Sequence, residues 1–567
     1  MKKIYLLVLS LLSLNLLHAQ WSDDPTVNTL VANPVTSENY QAAVSDGANG
    51  SIVVFESSNG TNSVNNLYAQ HISSDGQIQW GAANNPKPIC INNFDKYIES
   101  VIPDGSGGIY IVWYDYRGGD DLADAYLQHL NSSGNPVWSL NGIKVSSNTG
   151  RDVGEIRICS DGGPGVIVVW GESIFDDNTQ LTTYAQLFAQ KYNSAGVNQW
   201  DADGVEVCTT DGFRGFSTIV PDGNGGVVVA FSDTRNATQN EDDTFDNMDV
   251  FAQRINSSGS LLWTDDAKPV NTSPNNQANI QQYLQSNSSI PDGSGGMILL
   301  FDNFVDGNDG NSHFYAQHIN SSGDAQWNAA GIPVSATTGA KTLASLTSDA
   351  AGGIVAIWDE DRSLSSNYAK YGQRILANGS IAWTLNGINF TGTIGGYLAF
   401  GNGVIADGIG NHIISWTDPG NVLKAQKINN NGEVQWGVTH KDICTKRGAN
   451  PILPSLILSD NRSTIITWLD NRNFTGGSAS STDIYAAKVD STGQLIGAST
   501  NAYITTADGN WNVGVTWIGG IVPPANADVR VRHKVSVTAN ATCNSLLIEK
   551  PNGNLTVNTG VNLTISQ

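Results

Sequence analysis

An acid and an arginine recur two residues apart in this chain, each time after an aromatic residue that closes an apolar run. The copies of this W/F-x-D-x-R motif are Trp113-Asp115-Arg117, Phe231-Asp233-Arg235 and Trp468-Asp470-Arg472, with a near copy in Trp358-Glu360-Arg362. Residues two apart on a strand face the same way. Such a pair can form a salt bridge that fixes a loop, or it can grip a carboxylate or a sugar; repetition favours the first role. The candidate binding residues are therefore Asp115, Arg117, Asp233, Arg235, Glu360, Arg362, Asp470 and Arg472. The segments near these motifs are acidic, as in Glu172 to Asn178, Arg235 to Asp249 and Asp302 to Gly310. They could hold a cation such as Ca2+ or a polyhydroxyl ligand, or be solvated loop tips. Cleaving a glycosidic bond takes two carboxylates at a set separation, and the loops offer many without selecting a pair. No nucleophile elbow, zinc signature or phosphate loop is present, so no catalytic residue, metal site or other cofactor is assigned.

Three further motifs repeat. A turn led by Asp recurs at Asp46, Asp104, Asp161, Asp222, Asp292, Asp349 and Asp407, with a degenerate copy, DNRST, from Asp460. Asp bonds its own backbone two residues on and Gly permits positive φ, so each copy reads as a hairpin loop. One carboxylate per turn is too few for a calcium loop. Gln recurs at Gln70, Gln128, Gln190, Gln253, Gln317, Gln373 and Gln426, giving way to Ala487 in the eighth copy. A buried amide needs partners, so these residues should bond backbone in their own or the next repeat. His71, His129 and His318 share the next position and read as structural. Of five Cys, Cys90, Cys208 and Cys444 share one place in the repeat and read as small buried thiols. A Cys159–Cys208 disulfide is an alternative in an oxidising compartment.

The elements that position these motifs follow from tryptophan. Trp21, Trp80, Trp138, Trp200, Trp263, Trp327, Trp383 and Trp436 stand roughly every 60 residues, the later seven after a C–D turn such as SSG. Blade two, as an example, reads as strand A (Tyr97 to Ile102), the turn PDGSGG, strand B (Ile109 to Asp115), strand C (Asp124 to Asn131), the turn SSGN and strand D (Pro136 to Val145). Strand B is apolar on both faces, which demands a layer on each side, as in blades packed round a ring. The indoles then lie across the neighbouring blade, each burying on the order of 150–250 Å². Unit eight lacks a Trp after its turn, so residues near Trp21 to Val31 should supply its fourth strand and close the ring. The A–B and C–D turns are short and uniform. The B–C and D–A connections are long, variable and on the opposite face, where binding usually resides.

The ends read differently. Lys2 and Lys3, the apolar run Ile4 to Leu17 and Ala19 form a secretory signal peptide cut after Ala19, which implies an exported protein. The net charge of −23 argues against nucleic acid and anionic membrane as partners. From about Ala498 the period changes, and VSV (Val535 to Val537), SLLI (Ser545 to Ile548), NLTV (Asn554 to Val557) and NLTI (Asn562 to Ile565) read as short rungs. The last rung is uncovered, which anticipates either continuation of the chain or a second subunit on that edge.

The composite DGxGGxxVxWxDxR, DxYAQxIN and SSGxxxW resembles a repeat of many secreted bacterial proteins of uncertain function, generally taken as β-propellers and often exported by type IX secretion. No C-terminal sorting domain is recognisable here. The turn-plus-Trp phrase is also similar to the tryptophan-docking repeat of eight-bladed quinoprotein dehydrogenases, D-x-x-T-G-x-x-x-W, but Asn320-Ser321-Ser322-Gly323 runs one residue shorter before Trp327. There is no vicinal Cys pair, haem motif or sialidase box. The tail resembles the opening cap and first rungs of a secreted β-helix.

The expectation is an all-β chain: signal peptide 1–19, an eight-bladed β-propeller of four-stranded blades over 20–497 closed by its N-terminal strand, and a β-solenoid-like segment over 498–567. The function expected is a secreted or cell-surface module that binds glycan or protein through its variable loop face. A purely adhesive repeat and a glycoside hydrolase or lyase using loop carboxylates are the alternatives.

Overall fold

The structure is a computed structural model. It describes residues 21–565 apart from 35–36, 59–63, 120–121, 147–150, 177–180, 240–244, 247, 265, 272–275, 280–286, 305–312, 364–366, 393–402, 438–439, 474–481, 498–502, 518–519, 526, 544 and 549–552. The expected signal peptide, 1–19, lies outside the described residues. Among those described, no helix is long and apolar enough to cross a membrane.

The chain divides into two compact units at Leu495/Ile496. The first is an eight-bladed β-propeller. Its blades run Ser37–Cys90, Lys96–Lys144, Asp152–Glu206, Arg214–Asn271, Asn276–Ser335, Ala340–Asn389, Val404–Cys444 and Ile452–Val489. Each is an antiparallel A-B-C-D sheet, and strand A of blade five comes in two pieces. Every strand A touches strand A of both neighbouring blades, round the whole circle, so these strands wall the central channel. The eighth blade takes its fourth strand from Thr29–Ala32, antiparallel to Asp483–Val489.

Strand B explains why the blades stack. In blade two, Ile109, Ile111 and Trp113 enter the core shared with blade one, while Tyr110 and Val112 enter the core shared with blade three. The same alternation gives cores between blades three and four, four and five, and onward to seven and eight. The hydrophobic core is thus a series of thin layers between neighbouring sheets.

Between neighbouring blades, each of the eight indoles donates its N–H to a backbone carbonyl in the C–D turn of the next blade, at 2.8–3.1 Å. The acceptors are Ser74, Ser132, Ser194, Ser257, Ser321, Ala377, Asn430 and Ser491. The glycine of the turn is the seat: a Cβ on Gly134 would stand 2.6 Å from Trp80, and one on Gly493 2.6 Å from Trp436. These glycines also hold positive φ, +71° and +85°.

Strand D differs from the continuous Pro136–Val145 read from sequence. Pro136 makes one bridge to Leu130, the chain then leaves the sheet, and only Ile143–Lys144 re-pair. The cause is local. Trp138 turns out to reach Ser194, and Asn141 and Gly142 take φ of +65° and +81°, which ends extended pairing.

The second unit, Ile496–Gln567, is built from parallel pairs: Tyr503–Ile504 with Asp528–Val531 and then Ser545–Ile548, Gly509–Asn510 with Lys534–Val537 and then Asn554–Val557, and Ala541–Cys543 with Leu563–Ile565. SLLI, NLTV and NLTI therefore are not successive rungs. They are three sides of one coil, each stacked on a strand of the coil before it. Trp511 and Trp517 fill the interior, edge to face at 5.2 Å.

Candidate functional site

The W/F-x-D-x-R residues close on themselves. Asp115 is fully buried and accepts hydrogen bonds from Trp113 Nε1 at 3.0 Å, the Arg117 backbone N–H at 3.0 Å and Arg117 Nη2 at 2.5 Å. The Arg117 guanidinium lies 3.7 Å over the Tyr126 ring and donates to the Asn141 carbonyl and to Cys90 Sγ at 3.3 Å. Asp233–Arg235 (2.7 Å), Glu360–Arg362 (2.9 Å) and Asp470–Arg472 repeat the pair, with each guanidinium over Phe251, Tyr371 or Tyr485. Cys208 and Cys444 accept from Arg235 and Arg472 at 3.1 Å as Cys90 does from Arg117. None of the five cysteines is in a disulfide, and all are buried. Burial pushes the Asp115 carboxyl up, but the bonds from Arg117 and Trp113 outweigh it and hold it below the usual range. All four carboxylates have zero side-chain exposure. The arrangement pins the base of the B–C loop.

A second cation completes three of these clusters and was not legible in the sequence. Lys96, Arg214 and Lys341 lie at the start of strand A and stand in register opposite Asp115, Asp233 and Glu360. Arg214 Nε reaches Asp233 at 3.1 Å, where Phe231 supplies no indole N–H. Blade three also carries a variant with no arginine of its own: Trp170 Nε1 donates to Glu172 at 2.9 Å, and Arg151 arrives from the preceding connection at 3.4 Å.

On the opposite face, seven of the eight turn Asp residues are used up in one manner, and Asp460 of the degenerate copy meets Ser463 Oγ and Lys488 instead. In blade two, Asp104 Oδ1 accepts the N–H groups of Ser106 and Gly108 and Oδ2 meets His129 at 2.9 Å. The partner of the other turn carboxylates is His71, Lys191, Arg254, His318, Arg374, Lys427 or Lys488, at 2.6–3.2 Å. The preceding Gln ties strand C to the Trp segment; Gln128 donates to the Ser139 carbonyl at 2.8 Å and accepts from the Trp138 backbone. These motifs are frame. Among the described residues no group of three or more His, Cys, Asp or Glu is placed to hold a metal ion. Of the acidic segments considered for Ca2+, 177–178, 240–244, 247 and 305–310 lie outside the described residues.

The variable face carries an apolar patch. Ile91, Phe94 and Tyr97, in and after the connection from blade one to blade two, are 46%, 41% and 41% exposed. Tyr116, just after strand B, meets Tyr97 edge to face at 6.1 Å. Leu140 is 78% exposed beside Asn141, whose side chain accepts the Ile91 N–H at 3.0 Å. The patch is held from beneath by Lys96, which is fully buried. Its Nζ donates to the carbonyls of Asn65, Asn92 and Phe94 and to Asn66 Oδ1. Burial pulls the Lys96 ammonium down. Asp95 borders the rings: its carbonyl accepts the Tyr116 N–H and its carboxylate the Asn65 N–H at 3.0 Å. Burial, then the charges of Asp152 and Asp95, push the Tyr116 hydroxyl up.

The channel wall holds a cavity of about 310 Å³ lined by strands A of blades two, three and four and by Asn287 of blade five. The carboxylate lining it is Glu99, which is paired with Arg157 at 2.6 Å.

No protein-family model matches the chain, and no curated protein matches it. Among solved structures it is similar to a protein of unknown function from Dyadobacter fermentans, at 10% identity over 61% of this chain and 96% of that one, TM-score 0.34. It is similar to the β-propeller domain of the Trilobed protease from Pyrococcus furiosus, at 8% identity over 74% of this chain and 98% of that one, TM-score 0.37. It is also similar to a puromycin-hydrolyzing peptidase of Mycobacterium tuberculosis, at 11% identity over 87% of this chain, TM-score 0.38, and spans 64% of that chain. Likeness this distant carries no functional argument; the fold rests on the strand pairing. A rigid propeller with variable loops on one face is, in general, a scaffold for interaction.

Proposed function

We propose that this chain is an exported, non-enzymatic binding module that captures a glycan or protein ligand on its variable loop face, centred on Ile91, Phe94, Tyr97 and Tyr116. The observation that carries this reading is the exposed aromatic cluster itself. Large apolar residues grouped on a surface mark interaction sites, and here a buried lysine fixes the loop that presents them, so little ordering cost remains for binding. The chemistry favours a glycan: ring faces for the C–H side of a sugar, with the Asp95 and Asp152 carboxylates and Tyr hydroxyls for its O–H groups. The glycoside hydrolase or lyase alternative draws no support from the W/F-x-D-x-R acids, each of which is buried and saturated with donors. The loop acids outside the described residues leave that alternative to the assay.

A glycan array combined with a reducing-sugar release assay tests the reading. Retention of a glycan without turnover, lost in Phe94→Ala/Tyr97→Ala, is the expected result. Turnover by the wild type would replace this reading with the enzyme. A bare array with capture of a polypeptide dependent on the same two residues would make the ligand a protein.

A further inference from the structure

The cavity in the channel wall is chemically unlike the aromatic patch. It is lined by Glu99 to Pro103, Arg157 to Ser160, Ile219, Pro221 and Asn287, and among the described residues no aromatic ring takes part. One side is charged. Glu99 is the extra residue of a β-bulge between Ile98 and Ser100, which turns its carboxylate toward Arg157 on the next blade. Arg157 Nη1 bonds Glu99 Oε2 at 2.6 Å and the Ile156 carbonyl at 2.9 Å, with 6% of its side chain exposed. The lining also includes the aliphatic residues Val101, Ile102, Ile158 and Ile219. A cavity of about 310 Å³ stands at the small end of ligand pockets, enough for an amino acid or a dipeptide.

The charges narrow the ligand class. A simple anion meets Glu99, and a simple cation meets Arg157. A neutral sugar would desolvate both charges without replacing their water, and the described lining offers it no ring to stack on. A zwitterion answers both: its carboxylate aligns with the guanidinium, its ammonium with Glu99, and an aliphatic side chain covers the apolar wall. Burial pushes the Glu99 carboxyl up against the opposing pull of Arg157. We infer that the cavity between blades two, three and four binds a small aliphatic zwitterion, a free amino acid or dipeptide, through Glu99 and Arg157. This site is independent of the loop-face ligand.

Isothermal titration of the full chain with leucine, alanyl-leucine, isovalerate and isoamylamine tests the inference. The two zwitterions should bind at least about tenfold tighter than the singly charged analogues. Glu99→Gln keeps the shape and should weaken leucine by about tenfold or more. Ser100→Trp, at a half-buried lining residue outside the hydrophobic cores, fills the space and should abolish binding; melting within a degree or two of wild type, checked in parallel, shows that the ring remains intact. Failure of both zwitterions to bind the wild type below about 10 mM, or binding by Ser100→Trp equal to wild type, overturns it.

Discussion

Trp21 donates its indole N–H to the carbonyl oxygen of Ser74 at 2.8 Å. Trp21 belongs to the strand segment that completes blade eight, and Ser74 lies in the C–D turn of blade one. The same oxygen accepts Lys488 Nζ, also at 2.8 Å, and Lys488 pairs with Asp460 at 2.6 Å. One carbonyl thus joins the first residues described to the last blade, and the ring closes by the same docking bond that links every other pair of blades.

Trp21→Ala should therefore cost about 3–5 kcal/mol, as for a buried core indole, although Trp21 is near the start of the chain. A chain starting at Thr36, which lacks the closing strand, should melt lower and less cooperatively. Calorimetry decides both; melting equal to wild type would show that closure contributes nothing.

The docking seat gives a matched comparison. Gly134 and Gly105 have φ of +71° and +76°, but a Cβ at Gly105 meets nothing within 4 Å while one at Gly134 meets the Trp80 ring. Both alanine variants bear the left-handed backbone cost of about 1 kcal/mol. Gly134→Ala must also displace an indole, adding about 1–3 kcal/mol. Urea midpoints should separate the two by that margin.

Asp470→Asn should be severe. Arg472 has 4% side-chain exposure and would be left as a buried, unpaired charge, a loss of about 3–5 kcal/mol. The Asp470→Asn/Arg472→Met double variant should recover part of it, since the orphan charge is gone. Equal stability of the single and double variants in denaturant titration would contradict an ion pair as the reason for the motif.

Glu38, on strand A of blade one, is 1% exposed, and its carboxyl is pushed up to about 9 by burial first and then by Asp483 on blade eight. The folded chain holds this proton and the unfolded chain releases it near the ordinary carboxyl value. Its contribution is thus fully present at acid pH and falls by about 1.4 kcal/mol per pH unit between about 4.5 and 9. Glu38→Gln should match wild type near pH 4 and melt higher near pH 8. A pH-independent difference between the two melting curves would refute the protonated pair at the seam.

The architecture was legible because its parts repeat. Trp, turn Gly, turn Asp and strand C Gln each serve an inter-strand or inter-blade bond, and a bond made in most or all blades leaves a periodic mark. What was not legible is what happens once. Lys96 belongs to no repeated motif, and only the fold puts it under Phe94. Phe94, Tyr97 and Tyr116 have the composition of core residues and are exposed because a connection lifts them out. Glu99, Arg157 and Asn287 meet through strand A bulges and the ring's curvature, neither of which has a sequence period. Strand D was misread for a related reason: the pull of Trp138 toward the next blade overrides local extended preference.

The central claim is that the loop-face aromatics bind while the repeated acids and arginines only hold the frame. Affinity electrophoresis through native gels containing a panel of polysaccharides tests it most directly, comparing wild type with Tyr97→Ala and with Arg362→Lys. The account predicts retardation of the wild type by at least one polysaccharide, retained in Arg362→Lys and lost in Tyr97→Ala. Retardation that survives Tyr97→Ala and disappears in Arg362→Lys would contradict it.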